Sequence, residues 1–239
     1  LKEVLIMEQL SLLMPKNSKA VFKNLTDAIL GQPCSYSPNG FFQINLSVYE
    51  LALKEIKKHI NTDNVLDLYA GVGTIGLSVA RDRRLILVEN NKAAYTEMCK
   101  NCAEGVFEGG SEPGKARSSA ARPWRWAGRT RPEKEILCAP DVIIADVSFL
   151  SLTKILKYAK IHLSRSDTDF LVMLKPQFEA KPHQLNKGVV KNEKIRREII
   201  KNFEQWLKQN GFIIIKKRDN DLAGKNGNLE RFYYLKLAK

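Results

Sequence analysis

The sequence predicts an α/β domain built on a doubly wound, mostly parallel sheet with an antiparallel C-terminal hairpin. Three observations carry this. Short apolar runs alternate with amphipathic helical stretches, a glycine-rich turn joins one such run to a helix, and the last two runs have no helix between them.

Taken in order, Ser47 to Ile60 places Val48, Leu51, Ala52, Ile56 and Ile60 at helical spacing with lysines between them. Val65 to Tyr69 is a short apolar run broken at Gly71 and Gly73, after which helical spacing resumes from Thr74 to Ala80. A second strand, Leu85 to Val88, ends at Glu89, and a helix is expected from Lys92 to Ala103. Further strands fall at Asp141 to Asp146 and Phe170 to Leu174, with helices at Leu152 to Leu163 and Glu193 to Asn210. Phe212 to Lys217 and Arg231 to Leu237 then pair as the hairpin.

One stretch breaks the pattern. From Gly105 to Glu135, Gly, Pro, Ser and Arg dominate without periodicity, where a third parallel strand is due. It reads as a disordered basic insertion at about 105–136, in which Arg122, Trp124, Arg125, Trp126, Arg129 and Arg131 suit phosphate contact and base stacking, or else as a solvated linker. The chain thus divides into an N-terminal segment, 1–46, and one domain of catalytic size, 47–239.

The net charge of +13, from 39 Lys and Arg against 26 Asp and Glu, favours a polyanionic partner such as RNA. Four cysteines, Cys34, Cys99, Cys102 and Cys138, are too few and scattered for a disulfide framework and suit a reducing cytosol. The opening apolar run is interrupted by Glu8 and lacks the charge order of a secretory signal, and no stretch is long enough for a membrane helix, so a cytoplasmic protein is expected. Cys99 and Cys102 have ligand-like spacing, but with no second pair they read as packing residues, and no metal is expected.

The chemistry centres on DLYAGVGTIG. Glycines there let the chain turn sharply from strand into helix and approach a ligand closely, and Asp67 at the strand end can accept hydrogen bonds from it. Glu89, ending the next strand, lies roughly 20 residues on, the distance at which a carboxylate meets a ribose diol. Gly71, Gly73 and Gly76 also satisfy the dinucleotide spacing G-x-G-x-x-G. Asp67 in the strand and Tyr69 before Ala-Gly look instead like the first motif of S-adenosylmethionine-dependent methyltransferases, and the remainder of the chain decides between them.

Two resemblances then enter. Residues 34–104 resemble the uracil-C5 methyltransferases of ribosomal and transfer RNA, through FFQIN (Phe41 to Asn45), LDLYAGVGTIGL (Leu66 to Leu77) and VEN (Val88 to Asn90). That resemblance implies a cofactor contact from Gln43. Residues 140–239 resemble the hemolysin A-type, FtsJ-like RNA ribose methyltransferases (TlyA family), through DVIIADVSFLSL (Asp141 to Leu152), LKPQFEA (Leu174 to Ala180), KGVVKN (Lys187 to Asn192) and GNLERFYYL (Gly227 to Leu235).

The two halves imply different chemistry. Attack by uracil C5 needs a cysteine thiolate added at C6, which the family places late in the domain behind a D-P-P-R motif. This sequence has no D-P-P-R and no cysteine after Cys138. Ribose methylation needs a 2′-hydroxyl held in line and relieved of its proton. The FtsJ-like family uses a Lys-Asp-Lys-Glu group, and three members map onto Asp146, Lys175 and Glu230, with Asp146 also beside the cofactor. The first lysine has no motif match here, although Lys19, Lys23 and Lys54 precede the turn.

The resemblances together imply a Rossmann-like class I methyltransferase that carries a methyl group from S-adenosylmethionine to RNA, ribosomal RNA in particular, at a ribose 2′-oxygen. Its cofactor contacts would be Gln43, Asp67, Tyr69, Gly71, Gly73, Gly76, Glu89 and Asp146. The alternatives are a uracil-C5 methyltransferase and a non-catalytic basic RNA-binding protein that keeps the fold.

Overall fold

The computed structural model describes residues 25–37, 46–104, 122–125, 139–220 and 227–238. In chain order the elements are β1 (Leu25–Ile29), β2 (Gln32–Tyr36), α1 (Leu46–Lys57), β3 (Asn64–Leu68), α2 (Thr74–Ala80), β4 (Arg84–Glu89), α3 (Lys92–Glu104) and β5 (Arg122–Arg125). They continue with β6 (Val142–Ala145), α4 (Leu152–His162), β7 (Asp169–Leu174), the one-turn α5 (Pro176–Glu179), α6 (Glu193–Gln209), β8 (Phe212–Asp219) and β9 (Arg231–Leu237). The main sheet runs β5-β4-β3-β6-β7-β9-β8, with the first five strands parallel and β9 antiparallel to both its neighbours.

Alternation along the strands sorts the core into two layers. Val65, Leu85, Leu87, Val142, Ile144 and Leu171 face one side with Tyr49, Leu53, Ile75 and Met98 of α1, α2 and α3. Leu66, Leu68, Ile143, Phe170, Val172 and Leu235 face the other with Leu156 of α4 and Ile200, Phe203 and Leu207 of α6. Parallel strands covered on both faces must be apolar throughout, which is why VIIA and FLVML read as unbroken runs. In α6 the buried positions Arg196, Ile199, Ile200, Phe203 and Leu207 repeat at three and four residues, and Asn192 caps its start by accepting from the Lys194 and Ile195 amides.

Two features depart from the sequence reading. Arg122–Arg125, inside the stretch taken as a disordered insertion, forms β5 and pairs parallel with β4, filling the third-strand position. A backbone ladder needs no side-chain periodicity, and an edge strand tolerates Pro123, which cannot donate, so composition concealed it. The remaining residues between 105 and 138 lie outside the described residues. The second departure is β1–β2, an antiparallel hairpin in the N-terminal segment that no pattern announced. Its Ile29 and Cys34 are buried in the same layer as Leu53 and Leu87, so the hairpin shares the domain's core.

The C-terminal pair is antiparallel as expected, but β9 lies between β7 and β8, leaving β8 at the edge. This register matters for the site. Leu174 pairs with Arg231, so the residue after β7 and the residue before β9 fall side by side at one end of the sheet.

Candidate active site

The first part of the site is the turn from β3 into α2. Tyr69, Gly71 and Gly73 all have left-handed backbones, at φ 60°, 60° and 90°, and the turn is closed by a hydrogen bond from the Gly73 amide to the Ala70 carbonyl at 2.8 Å. For Tyr69 this conformation is strained, a cost that persists where surroundings over-determine it. Glu89 is buried and its Oε2 accepts from the Gly71 amide at 2.8 Å. Its Oε1 accepts from the Asn90 and Asn91 amides at 2.8 and 2.7 Å. The expected ribose partner therefore also fixes the shape of the turn, with one acceptor site on Oε2 to spare for a ribose hydroxyl.

Asp67 is 1% exposed beneath α2. Its Oδ2 accepts from the Gly76 amide at 2.9 Å, while Oδ1 has no partner among the described residues. Burial, with the charges of Asp146 and Glu89, pushes its carboxyl up to about 7 despite the Gly76 hydrogen bond. Gly76, expected among the cofactor contacts, packs closely against the sheet. A Cβ there would lie 2.6 Å from Leu87 Cδ2, so its requirement is close helix–strand packing.

The second part is assembled from the ends of β6, β7 and β9. Lys175 is 5% exposed, and its Nζ sits 2.8 Å from Asp146 Oδ1 and donates to Ser148 Oγ at 3.0 Å. Burial disfavours the ammonium, but Asp146 and Glu230 outweigh it and raise the lysine above its ordinary value. Glu230 is pushed up to about 7, chiefly by burial, with Asp146 adding and Lys175 and a Gln177 hydrogen bond opposing. Asp146, Lys175 and Glu230 thus come together as the sequence reading grouped them.

Several participants were missed. Ser148 and Gln177 bond two of the three grouped residues directly. Glu179 accepts from Ser151 Oγ at 2.7 Å and from the Leu152 amide at 2.6 Å, capping α4, and the Phe149 and Phe178 rings lie 5.2 Å apart. The strings DVSFLSL and LKPQFEA are therefore two sides of one interlocked corner. Phe149 is 83% exposed at φ 66°, an apolar ring on a strained residue that follows Ser148, the lysine's hydrogen-bond partner. Asn228 is buried and pins the chain ahead of Glu230, accepting from the Val190 amide at 3.0 Å and donating to the Gly188 carbonyl at 3.1 Å. KGVVKN and GNLERF are joined in the same way, and a signal existed only in the recurrence of these strings.

The two parts adjoin. Asp67 feels the charges of Glu89 and Asp146, and buried Tyr49 on α1 is pushed up by burial and then by Asp146 and Asp67. Asp67, Glu89 and Asp146 lie at the carboxyl ends of β3, β4 and β6, where open α/β sheets bind ligands. Tyr69 is half-buried beside Glu89. Gln43, Lys19, Lys23, Trp126, Arg129 and Arg131 lie outside the described residues, and Lys54 is exposed on α1. Among the described residues no group of His, Cys, Asp and Glu is placed to hold a metal ion, and no helix is long and apolar enough to cross a membrane. Cys102 sits on α3 with its thiol pushed up to about 11 by burial and by Cys99.

This strand order, glycine turn and pair of acidic strand ends define a class I methyltransferase fold. A putative hemolysin from Streptococcus thermophilus superposes with a TM-score of 0.62 at 17% identity, over 87% of this chain and 71% of its own. The tRNA (uracil-54, C5)-methyltransferase of Pyrococcus abyssi in complex with S-adenosyl-L-homocysteine gives 0.61 at 15% identity, over 90% of this chain and 44% of its own. The chain belongs to the FtsJ-like methyltransferase family, whose model matches residues 91–237. The 23S rRNA (cytidine-2'-O)-methyltransferase TlyA of Campylobacter jejuni is 31% identical over 96 residues, which are 39% of this chain and 37% of that protein. The matches to that relative and to hemolysin A of Brachyspira hyodysenteriae, 32% identical over 92 residues, span under two fifths of the length of either.

Proposed function

We propose that the protein transfers a methyl group from S-adenosylmethionine to a ribose 2′-oxygen of RNA, with ribosomal RNA as the substrate. The observation that carries this reading is the buried Lys175–Asp146 pair, with Glu230 beside it, adjoining the glycine turn. TlyA of Campylobacter jejuni, 31% identical over 96 residues, is named for cytidine 2′-O-methylation of 23S rRNA.

The residues present fit the cofactor. Among the described residues Asp67 keeps a buried oxygen without a partner, Glu89 presents a carboxylate at the strand end, and a Cβ at Gly71 would meet nothing within 4 Å. Clustered carboxylates suit a ligand that carries an ammonium and a sulfonium. Asp67, Glu89, Tyr69, Gly71 and Gly73 would hold it, with Asp146 at its flank. When bound, S-adenosylmethionine supplies an electrophilic methyl group.

The protein's own part is orientation and charge. Lys175, raised above the ordinary lysine value, keeps its proton at neutral pH and so acts first as a donor. Its ammonium would hold the 2′-oxygen in line and balance the negative charge growing on it. Asp146 is the adjacent carboxylate able to accept the proton leaving that oxygen, and Glu230 keeps Lys175 charged and aimed. The basic surface would gather the RNA backbone.

The test is methyl transfer from labelled S-adenosylmethionine to unmodified ribosomal RNA, read by mass spectrometry of the digested nucleosides. A 2′-O-methylated nucleoside that disappears in Lys175→Ala supports the proposal. 5-Methyluridine, or no product from any RNA, overturns it.

A further inference from the structure

Asn101 on α3 is 1% exposed, and its carboxamide joins three separate pieces of the chain. Oδ1 accepts from the Ser35 amide at 2.8 Å, and Nδ2 donates to the Ser35 carbonyl and the Val72 carbonyl, both at 2.9 Å. The reciprocal pair with Ser35 imitates a neighbouring strand on the edge of β2. The third bond holds the peptide between Gly71 and Gly73, the two left-handed glycines of the turn. Cys34 Sγ lies 3.6 Å from both Asn101 Nδ2 and Thr74 Oγ1, so β2 touches the first residue of α2 as well. Arg81 at the end of α2 donates to the Asn101 carbonyl at 3.0 Å, closing the loop of contacts around α2.

We infer that Asn101 is a positioning residue for the cofactor turn, and that through it the β1–β2 hairpin is part of the cofactor site. The inference rests on the reading of Gly71–Gly73 as that turn. Glu89 fixes the turn from one side, through the Gly71 amide, and Asn101 fixes it from the other, through the Val72 carbonyl. With both in place the amides and the open space at Gly71 are set before any ligand arrives, so the ordering cost is not charged to binding. A carboxamide is the side chain for the task because the task needs two donors and an acceptor at once. An aspartate has the same shape but offers only acceptors, and the oxygen in place of Nδ2 would face the Ser35 and Val72 carbonyls.

One bond ties the hairpin to α1 and another braces its two strands against each other. The Leu30 amide donates to Glu50 Oε1 of α1 at 2.9 Å, and the Tyr36 hydroxyl donates to Asp27 Oδ2 at 2.6 Å. Tyr36→Phe removes this cross-strand bond and keeps the ring that packs against the core, so it tests the hairpin's own rigidity.

The experiment is calorimetric titration of the whole protein with S-adenosylhomocysteine, for the unaltered chain and for Asn101→Asp, Tyr36→Phe and Glu89→Gln, with thermal midpoints and steady-state methyl transfer alongside. Asn101→Asp is expected to weaken binding by about tenfold or more and Tyr36→Phe by about threefold. KM for S-adenosylmethionine should rise with them while kcat at saturating cofactor stays within about twofold. A role in stability alone would lower the active fraction, and with it kcat, leaving KM and Kd unchanged, and that result overturns the inference. If Asn101→Asp does not fold, Tyr36→Phe decides by the same criteria. Loss of affinity in Glu89→Gln but in neither of the others also overturns it. Failure of the unaltered chain to bind removes the reading of the turn itself, and the inference falls with it.

Discussion

At the ends of β3 and β4 the site is made within one strand–turn–helix–strand run, residues 67–89, whereas at the ends of β6, β7 and β9 it is gathered from positions 146, 175 and 230. The first region works through backbone shape. Left-handed residues make the turn, and carboxylates accept from main-chain amides to hold it. The second works through side-chain charge, with an ammonium buried against carboxylates and kept there by a corner of interlocked loops. Binding and reactivity are therefore expected to fail separately, and four predictions press on that division.

The largest effect is expected at Lys175. Lys175→Met removes the buried ammonium, and methyl transfer should fall by about a thousandfold or more while affinity for S-adenosylhomocysteine changes by less than about threefold. Loss of affinity in step with activity would erase the division.

Next in size is the turn. In Glu89→Gln the new amide must point toward one of the donors now served by the carboxylate, at Gly71 or at Asn90 and Asn91. Cofactor affinity should drop by about tenfold or more, on the order of 1.4 kcal/mol, with the rate at saturation little changed.

Protonation gives a third test. Asp67 and Glu230 sit near 7 in the folded chain, above ordinary carboxyl values, so between about pH 4 and 7 they hold protons that the unfolded chain has released. Their contribution to stability is present below the unfolded values and is lost as pH rises through that window. Urea titrations at pH 5 and 7.5 should show a smaller drop in stability for Asp67→Asn than for the unaltered chain. The difference should be on the order of 1 kcal/mol. Cofactor affinity should rise over the same window, since a cationic ligand favours the ionised carboxylates.

The smallest expected effect sharpens the account of the corner. Glu179→Gln weakens the cap on α4 and should cost about 0.5–2 kcal/mol of stability by thermal unfolding, with activity of the folded protein reduced only modestly.

The same contrast explains what could be read from sequence. The turn was legible because Asp67, Gly71, Gly73 and Glu89 lie in one short stretch and each is demanded by local backbone geometry. Even there, spacing alone does not report that Gly76 lies against Leu87 of β4. The grouping of Asp146, Lys175 and Glu230 came from family resemblance alone. What joins them is the pairing of Leu174 with Arg231 across an antiparallel strand, a non-local register that no periodicity reports. Asn101 and Asn228 escaped notice for a related reason. A buried carboxamide that bonds backbone groups far along the chain looks in sequence like any polar residue on a helix or in a loop. The strand at 122–125 was hidden by composition, since an edge strand in a parallel sheet is held by its backbone.

The account rests on the two regions forming one site with separable duties, and the direct test is to measure binding and transfer together in Glu89→Gln and Lys175→Met. The expected pattern is a crossed one, with weakened S-adenosylhomocysteine binding but near-normal saturated transfer to ribosomal RNA in the first, and intact binding without transfer in the second. Near-normal methyl transfer by Lys175→Met, or unchanged binding by Glu89→Gln, would contradict it.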